Sequence, residues 1–247
     1  MSSWDLAAAG YESYYVPRFA PWVDTAVRAV TATELPDGPV LVPCCGTFPE
    51  LDALVKSFPD KEIVGIDLSE GMLRIARERA SGQPRVRLVH GDASVLTEWA
   101  GRCAAVVSVF GLQQLPEPDV GLRSWASALR PGGRLSVVFW PGNIESEGPF
   151  ALLSKVLRAR VPAGDRSWEQ RLTVDGVERD EFVAHAMSHP GAAEFFSAHT
   201  ESGPMRALAE ARGPEFVADL RAEFLSLAPS GEWHHRPRAR LIVANRP

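Results

Sequence analysis

Val40-Leu41-Val42-Pro43-Cys44-Cys45-Gly46-Thr47-Phe48-Pro49-Glu50, followed by Ile63-Val64-Gly65-Ile66-Asp67-Leu68-Ser69, decides the reading of this chain. An apolar run enters a small-residue turn, a helical stretch follows, and a second apolar run ends in a carboxylate. A continuous apolar run suits a central parallel strand covered on both faces. Asp67 lies roughly 20 residues beyond Gly46, where a carboxylate at one strand tip reaches the ribose of a nucleotide-like cofactor over the neighbouring turn. Thr47 to Glu50 fits a capping box, with Glu50 reaching back and Pro49 tolerated in the first turn. Leu51, Leu54 and Val55 then face the sheet.

The same rhythm continues outward. Further strands are predicted at 62–66, 86–89, 104–109 and 135–140. Ser69 caps a helix running to about Ala80, and Leu122, Trp125, Ala126 and Leu129 mark another that Pro131-Gly132-Gly133 stops. Strands alternating with helices imply a doubly wound parallel sheet. Before the first strand, an N-terminal helix carries all three tyrosines, Tyr11, Tyr14 and Tyr15, and a second helix holds Trp22, Val23, Ala26, Val27 and Val30. Pro36-Asp37-Gly38-Pro39 breaks the chain there. After Trp140 comes an amphipathic helix (Phe150, Leu152, Leu153, Val156, Leu157) and a polar stretch that fits no strand. A sixth strand at 181–187, two helices at 203–212 and 214–227, and a last strand at Leu241 to Ala244 complete the reading. Four parts result: an N-terminal helical cap (1–35), a cofactor-binding core (36–142), a lid insertion (143–178), and a C-terminal part (179–247) that completes the sheet and adds substrate-side helices.

Composition narrows the function. The 247 residues carry a formal net charge of −5 and are 45% hydrophobic, enough for a sizeable core. The acidic balance argues against a nucleic-acid partner, because a phosphate backbone demands a basic footprint. Neither a long apolar run nor a signal-peptide pattern is present, so a soluble, cytoplasmic protein without a membrane partner is expected. The cysteines, Cys44, Cys45 and Cys103, have neither disulfide nor zinc spacing, and no metal is expected. The Ala, Arg, Pro and Gly bias suggests a high-GC bacterial genome.

Gly65-Ile66-Asp67-Leu68-Ser69-Glu70-Gly71-Met72-Leu73, Gly91-Asp92-Ala93 and Leu129-Arg130-Pro131-Gly132-Gly133 occur in the order and spacing of class I S-adenosylmethionine-dependent methyltransferases. Over roughly residues 11 to 140 the chain resembles the small-molecule branch of that family. The resemblance implies a Rossmann-like α/β fold, doubly wound, with a seven-stranded mixed sheet, helices on both faces and a helical lid. It implies S-adenosyl-L-methionine as cofactor and a small-molecule substrate in a monomer or homodimer. The first turn departs from the family: Val42 replaces an acidic residue, and Cys44 and Phe48 stand where glycines are usual.

Carried over position by position, the cofactor candidates are Cys44, Cys45, Gly46 and Thr47 in the turn, Asp67 and Leu68 at the ribose, and Met72 on the adenine. Asp92 and Ala93 fall at the adenine edge and Ser108 on the floor, with Arg18 a candidate for the cofactor carboxylate. Tyr11, Tyr14, Tyr15, Gln113, Gln114 and Trp140 are substrate-side candidates, the aromatics as a wall that excludes water from a sulfonium. Gln113 and Gln114 replace histidines of some relatives, and an amide orients a substrate but takes no proton at neutral pH. His185, His189 and His199 have the right chemistry for a general base, at most one of them serving, and Glu145 and Glu147 are weaker candidates. His234-His235 reads as exposed loop. The expected function is methyl transfer to a small molecule in bacterial secondary metabolism, driven mainly by proximity and desolvation. Two alternatives are a non-methylating reaction on the same fold (cyclisation, decarboxylation or rearrangement) and a non-catalytic binding protein.

Overall fold

A computed structural model describes residues 3–247. Its centre is a seven-stranded sheet in the order β3-β2-β1-β4-β5-β9-β6. The strands are β1 (Val40–Pro43), β2 (Ile63–Asp67), β3 (Val86–His90), β4 (Cys103–Val109), β5 (Leu129–Phe139), β6 (Val177–Ala184) and β9 (Arg238–Asn245). β1 to β5 pair in parallel, and β9 runs antiparallel between β5 and β6. A short hairpin, β7 (Met187–His189) with β8 (Trp233–His235), stands apart. The seven-stranded mixed sheet expected from the sequence is present.

Alternation along the strands feeds two cores. Val40, Val42, Ala105, Val107, Val138, Leu241 and Val243 pack under α1 (Ser3–Thr31), α2 (Leu51–Ser57) and α3 (Glu70–Arg79). Leu41, Val64, Ile66, Val106, Leu135, Val137 and Phe139 pack under α4 (Pro118–Ala128), around fully buried Trp125. A third cluster joins α5 (Pro149–Arg158), α6 (Ala192–Glu201) and α8 (Pro214–Leu227) through Leu153, Val156, Phe195, Phe196, Leu220 and Phe224. The short α7 (Arg206–Arg212) leads into α8.

Several local expectations are corrected. The two N-terminal helices are one, continuing through Pro17 and Pro21. Each proline removes one backbone bond, offset by ten buried residues from Ala7 to Val30 on the same helix. No capping box forms at Thr47; α2 begins at Leu51, and Thr47 Oγ1 and Glu50 Oε2 are buried with no hydrogen-bond partner among the described residues. The sixth strand, expected at 181–187, begins four residues earlier at Val177 and ends at Ala184, and α6 was not legible as a helix. Pro131-Gly132-Gly133 does not separate α4 from a later strand: β5 starts at Leu129, and a register shift opposite Cys103 and Ala105 absorbs Gly132, whose φ is 77°.

Candidate functional site

The carboxyl ends of β1, β2, β3 and β4 meet at one edge of the sheet, beneath α1. There Cys44, Gly46 and Phe48 have φ of 54°, 53° and 63°. The left-handed backbone that glycines adopt freely is thus kept with two side chains in place, at about 1–3 kcal/mol for each non-glycine residue. The neighbours make room. An added Cβ on Gly65 would lie 2.9 Å from both Phe48 Cε1 and Cys45 Sγ, so the bare β2 backbone accommodates the buried Phe48 ring. One on Gly111 would lie 2.5 Å from Cys44 Cβ.

Asp67 ties this turn to the next strand. Its Oδ2 accepts Gly46 N–H at 2.8 Å and its Oδ1 accepts Ser69 N–H at 2.8 Å. Burial pushes the carboxyl above its usual range, against the backbone N–H groups of Ser69, Gly46 and Leu68. Each oxygen keeps acceptor capacity for one further donor. A Cβ on Gly46 would meet nothing within 4 Å, so the space above the turn is open. Leu68 and Val95 are 69% and 55% exposed beside Asp67 and Asp92. Each carboxylate thus has an exposed apolar side chain close by in sequence, the chemistry that a ribose diol and a purine edge would need. Asp92 Oδ1 accepts Ser94 N–H at 2.8 Å, and the Ser94 bonds hold its carboxyl below the usual range, ready to accept from an amine. Gln113 Oε1 is a further buried acceptor without a partner among the described residues, its amide nitrogen donating to Phe110 O at 2.7 Å. These residues fit S-adenosylmethionine: Asp67 for the ribose, Asp92 for the adenine, Gly46 for close backbone approach.

The remaining cofactor candidates are packed beneath this surface. Ser108 Oγ donates to Pro43 O at 3.0 Å, Ala93 O accepts Trp125 Nε1–H at 2.7 Å, and Met72 and Cys45 are buried. Burial beside Asp67 and Asp92 pushes the Cys44 thiol far up, so it is a neutral spacer rather than a thiolate. Arg18, read from sequence as a ligand for the cofactor carboxylate, lies elsewhere. It donates to Ser188 O at 2.8 Å and Tyr14 O at 2.6 Å, and its guanidinium lies 3.9 Å from the centre of the Tyr14 ring.

A packed aromatic cluster continues from α1 toward α5 and α6. Trp140 stacks on Phe110 at 4.2 Å; Phe19 meets both, and Phe150 meets Trp140. Tyr11 and Tyr15 pack with Phe19, and Tyr15 contacts Tyr14 and His199. Burial, with Glu50, Asp67 and Glu12 nearby, raises the Tyr11 hydroxyl well above its ordinary value. Gln114 is exposed. The three histidine candidates separate. His185 bonds Thr25 and contacts the edge of Trp22 on the flank of α1. His199 is buried, bonded to Tyr15 Oη and Phe195 O, each at 3.0 Å, and burial lowers it to about 4. His189 bonds Tyr14 and His235. His235, read as exposed loop, has a side chain only 4% exposed, whereas His234 is 71% exposed. A three-residue strand gives too short a pattern to reveal that inward face. Phe19 and Phe110 were missed because core aromatics and cleft aromatics have the same periodicity. Among the described residues no cluster of His, Cys, Asp and Glu is placed to hold a metal ion, and no helix is long and apolar enough to cross a membrane.

Residues 40–133 match the model of a family described as the methyltransferase domain. Demethylmenaquinone methyltransferase of Staphylococcus aureus is 40% identical over 91 residues, which are 36% of this chain and 38% of that protein. The chain thus spans about two fifths of the length of the curated relatives it matches. Among solved structures, the YcgJ protein of Bacillus subtilis superposes with a TM-score of 0.61 at 15% identity, over 93% of this chain and 98% of that one. Phosphoethanolamine N-methyltransferase 2 of Haemonchus contortus, in complex with phosphomonomethylethanolamine and S-adenosylhomocysteine, has a TM-score of 0.56 at 17% identity. It covers 100% of this chain and 60% of that one. The fold is that of the class I methyltransferases. Residues 40–133 thus resemble a methyltransferase domain, here with a turn in which Cys44 and Phe48 keep the left-handed backbone usual for glycines.

Proposed function

We propose that this protein is an S-adenosylmethionine-dependent methyltransferase acting on a small, largely apolar acceptor, with bacterial secondary metabolism as its setting. Asp67 carries the reading: a half-buried carboxylate that pins the Gly46 turn, with open space above that turn and acceptor capacity left on both oxygens. Asp67, Gly46 and Asp92 would hold the cofactor, and Leu68 and Val95 would flank the adenine. When bound, the cofactor supplies an activated methyl group on a sulfonium. The wall of Tyr11, Tyr15, Phe19, Phe110 and Trp140 excludes water and favours a positive charge at its faces. The acceptor would sit against the aromatic cluster of Trp140, Phe150 and α1, where apolar surface would recognise it.

Calorimetric titration with S-adenosylmethionine and S-adenosylhomocysteine tests this reading. Micromolar binding of both, followed by appearance of S-adenosylhomocysteine in an acceptor screen, is the expected outcome. Folded protein that binds neither would remove the cofactor and the activity together.

A further inference from the structure

We infer that Glu145, His235 and His189 form a one-way proton relay ending on Tyr14, whose hydroxyl is the base for an acceptor O–H, a phenol or enol, held beside the aromatic cluster. The nature of the acceptor rests on the methyltransferase reading; the relay rests on contacts alone.

Four side chains from four parts of the chain meet in series. Glu145 lies at the start of α5, where its Oε1 accepts Phe150 N–H at 2.7 Å and Ala151 N–H at 3.4 Å. Its Oε2 faces His235 Nδ1 at 2.7 Å, and the two side chains are 6% and 4% exposed. His235 Nε2 faces His189 Nε2 at 3.0 Å, and His189 Nδ1 faces Tyr14 Oη at 2.7 Å. One pattern of hydrogens satisfies every link. A carboxylate at a helix N-terminus accepts, so His235 carries its proton on Nδ1 and presents a bare Nε2. His189 must then carry its proton on Nε2 and present a bare Nδ1, to which Tyr14 donates.

Tyr14 is part-buried and packs on Tyr15, which joins it to the aromatic cluster. Tyr11, Tyr14 and Arg18 follow one another at helical spacing on one face of α1, and the Tyr14 hydroxyl is the end of the series nearest that cluster. The groups around the relay keep its middle neutral. Burial, with Glu194 of α6 adding and Arg18 of α1 opposing, pushes Tyr14 up to about 12. Burial, with His235 of β8, Arg18 and His199 of α6, lowers His189 to about 3. Neither a phenolate nor an imidazolium rests there, so a proton entering at Tyr14 displaces the next in one movement.

The balance is simple. The acceptor O–H bond breaks, its electron pair stays on the oxygen, and its proton joins Tyr14 Oη. The Tyr14 proton passes to His189 Nδ1, the His189 Nε2 proton passes to His235 Nε2, and the His235–Glu145 pair holds the proton gained. His235 also lines a surface cavity of about 350 Å³ with Met187, Ser188, His234 and Arg236, which opens a route to solvent.

Glu145→Gln tests the relay without any acceptor. Phe150 N–H and Ala151 N–H hold the amide oxygen at the Oε1 position, so the amide NH₂ faces His235 Nδ1 and donates. Nitrogen-15 NMR of histidine-labelled protein should show His235 protonated on Nδ1 and His189 on Nε2 in the parent, with both tautomers reversed in E145Q. Different parent tautomers, or an E145Q spectrum unchanged at both rings, overturn the relay. 4-Nitrophenol tests its terminus, since its phenolate is coloured. Bound to the parent it should ionise at least about tenfold more readily than in buffer, with the effect lost in Tyr14→Phe and E145Q. A probe that titrates as in buffer with parent protein, or a shift that survives Tyr14→Phe, overturns Tyr14 as the base. Far-ultraviolet circular dichroism of the same variants serves as the fold control. Failure of the folded parent to bind S-adenosylmethionine, with its histidine tautomers as stated, would sink the methyltransferase reading and leave the relay standing.

Discussion

Cys44 and Gly111 compete for one volume at the mouth of the cleft. The Cys44 side chain occupies what a Cβ on Gly111 would need, at 2.5 Å, with Ser108 Oγ at 2.9 Å on the other side. Gly111→Ala should therefore destabilise by about 1–3 kcal/mol, the scale of overpacking. Cys44→Gly removes the nearer obstacle and the left-handed strain, so by itself it should not lower the melting temperature. The pair should couple: in denaturant titrations Gly111→Ala should cost less in the Cys44→Gly background by about 0.5 kcal/mol or more. Equal costs in both backgrounds would mean that the backbone moves instead. Phe48 differs, because its ring is fully buried. Strain relief in Phe48→Gly is outweighed by losing a core aromatic at about 3–5 kcal/mol. Asp67→Ala should weaken S-adenosylmethionine binding by about 1–3 kcal/mol, the scale of hydrogen bonds to a charged group. Unchanged affinity in calorimetry would remove Asp67 from the site.

Among the elements, α1 makes the site, and its grip on α3 begins at Asp5. Asp5 Oδ1 accepts from Ser69 Oγ at 2.7 Å and from Gly71 N–H at 3.0 Å, while Ser69 Oγ caps Met72 N–H. The helices touch because Gly71 has no side chain; a Cβ there would lie 2.4 Å from Asp5 O. Asp5→Ala should cost about 1 kcal/mol, as lost caps do, and speed hydrogen exchange in the first turns of α1 and α3 first. Exchange that rises uniformly would show that α1 does not dock as a unit. The Ser69 cap was legible in the sequence because a cap is local, whereas Asp5, which accepts the Ser69 hydroxyl, comes from 64 residues away. The same division runs through the molecule. Strands β1 to β5 were readable from apolar runs between turn residues, and Asp67 and Asp92 from their place at strand ends. α6 was not, because Phe195, Phe196 and His199 are buried among other helices and leave no one-sided stripe. The Glu145–His235–His189–Tyr14 series joins residues up to 175 apart, and no spacing rule marks it.

For the whole molecule, burial of ionisable groups sets how stability depends on pH. His189 and His199 are held neutral by burial, lowered from 6.5 to about 3 and about 4. The unfolded chain binds protons there below pH 6.5 that the folded chain refuses, so stability falls as pH drops from about 6.5 toward those values. Glu50 acts in the opposite direction. Burial, against the pull of Arg79, raises its carboxyl from 4.5 to about 8. The folded chain therefore keeps a proton that the unfolded chain loses, and stability falls as pH rises from about 4.5 to about 8. Each proton changes stability by up to about 1.4 kcal/mol per pH unit. Between about pH 4.5 and 6.5 His189 and His199, joined by His185, which burial also lowers, outweigh Glu50 and Asp67, whose carboxyls burial raises, and stability rises; above 6.5 the histidines no longer act, and Glu50 makes stability decline. Denaturant titrations across this range should find a maximum near pH 6.5. Glu50→Gln should flatten the alkaline limb and leave the acid limb unchanged. The carboxyl that fails to cap α2 thereby sets the upper edge of the stability range, and an alkaline limb that persists in Glu50→Gln would assign that edge to another group.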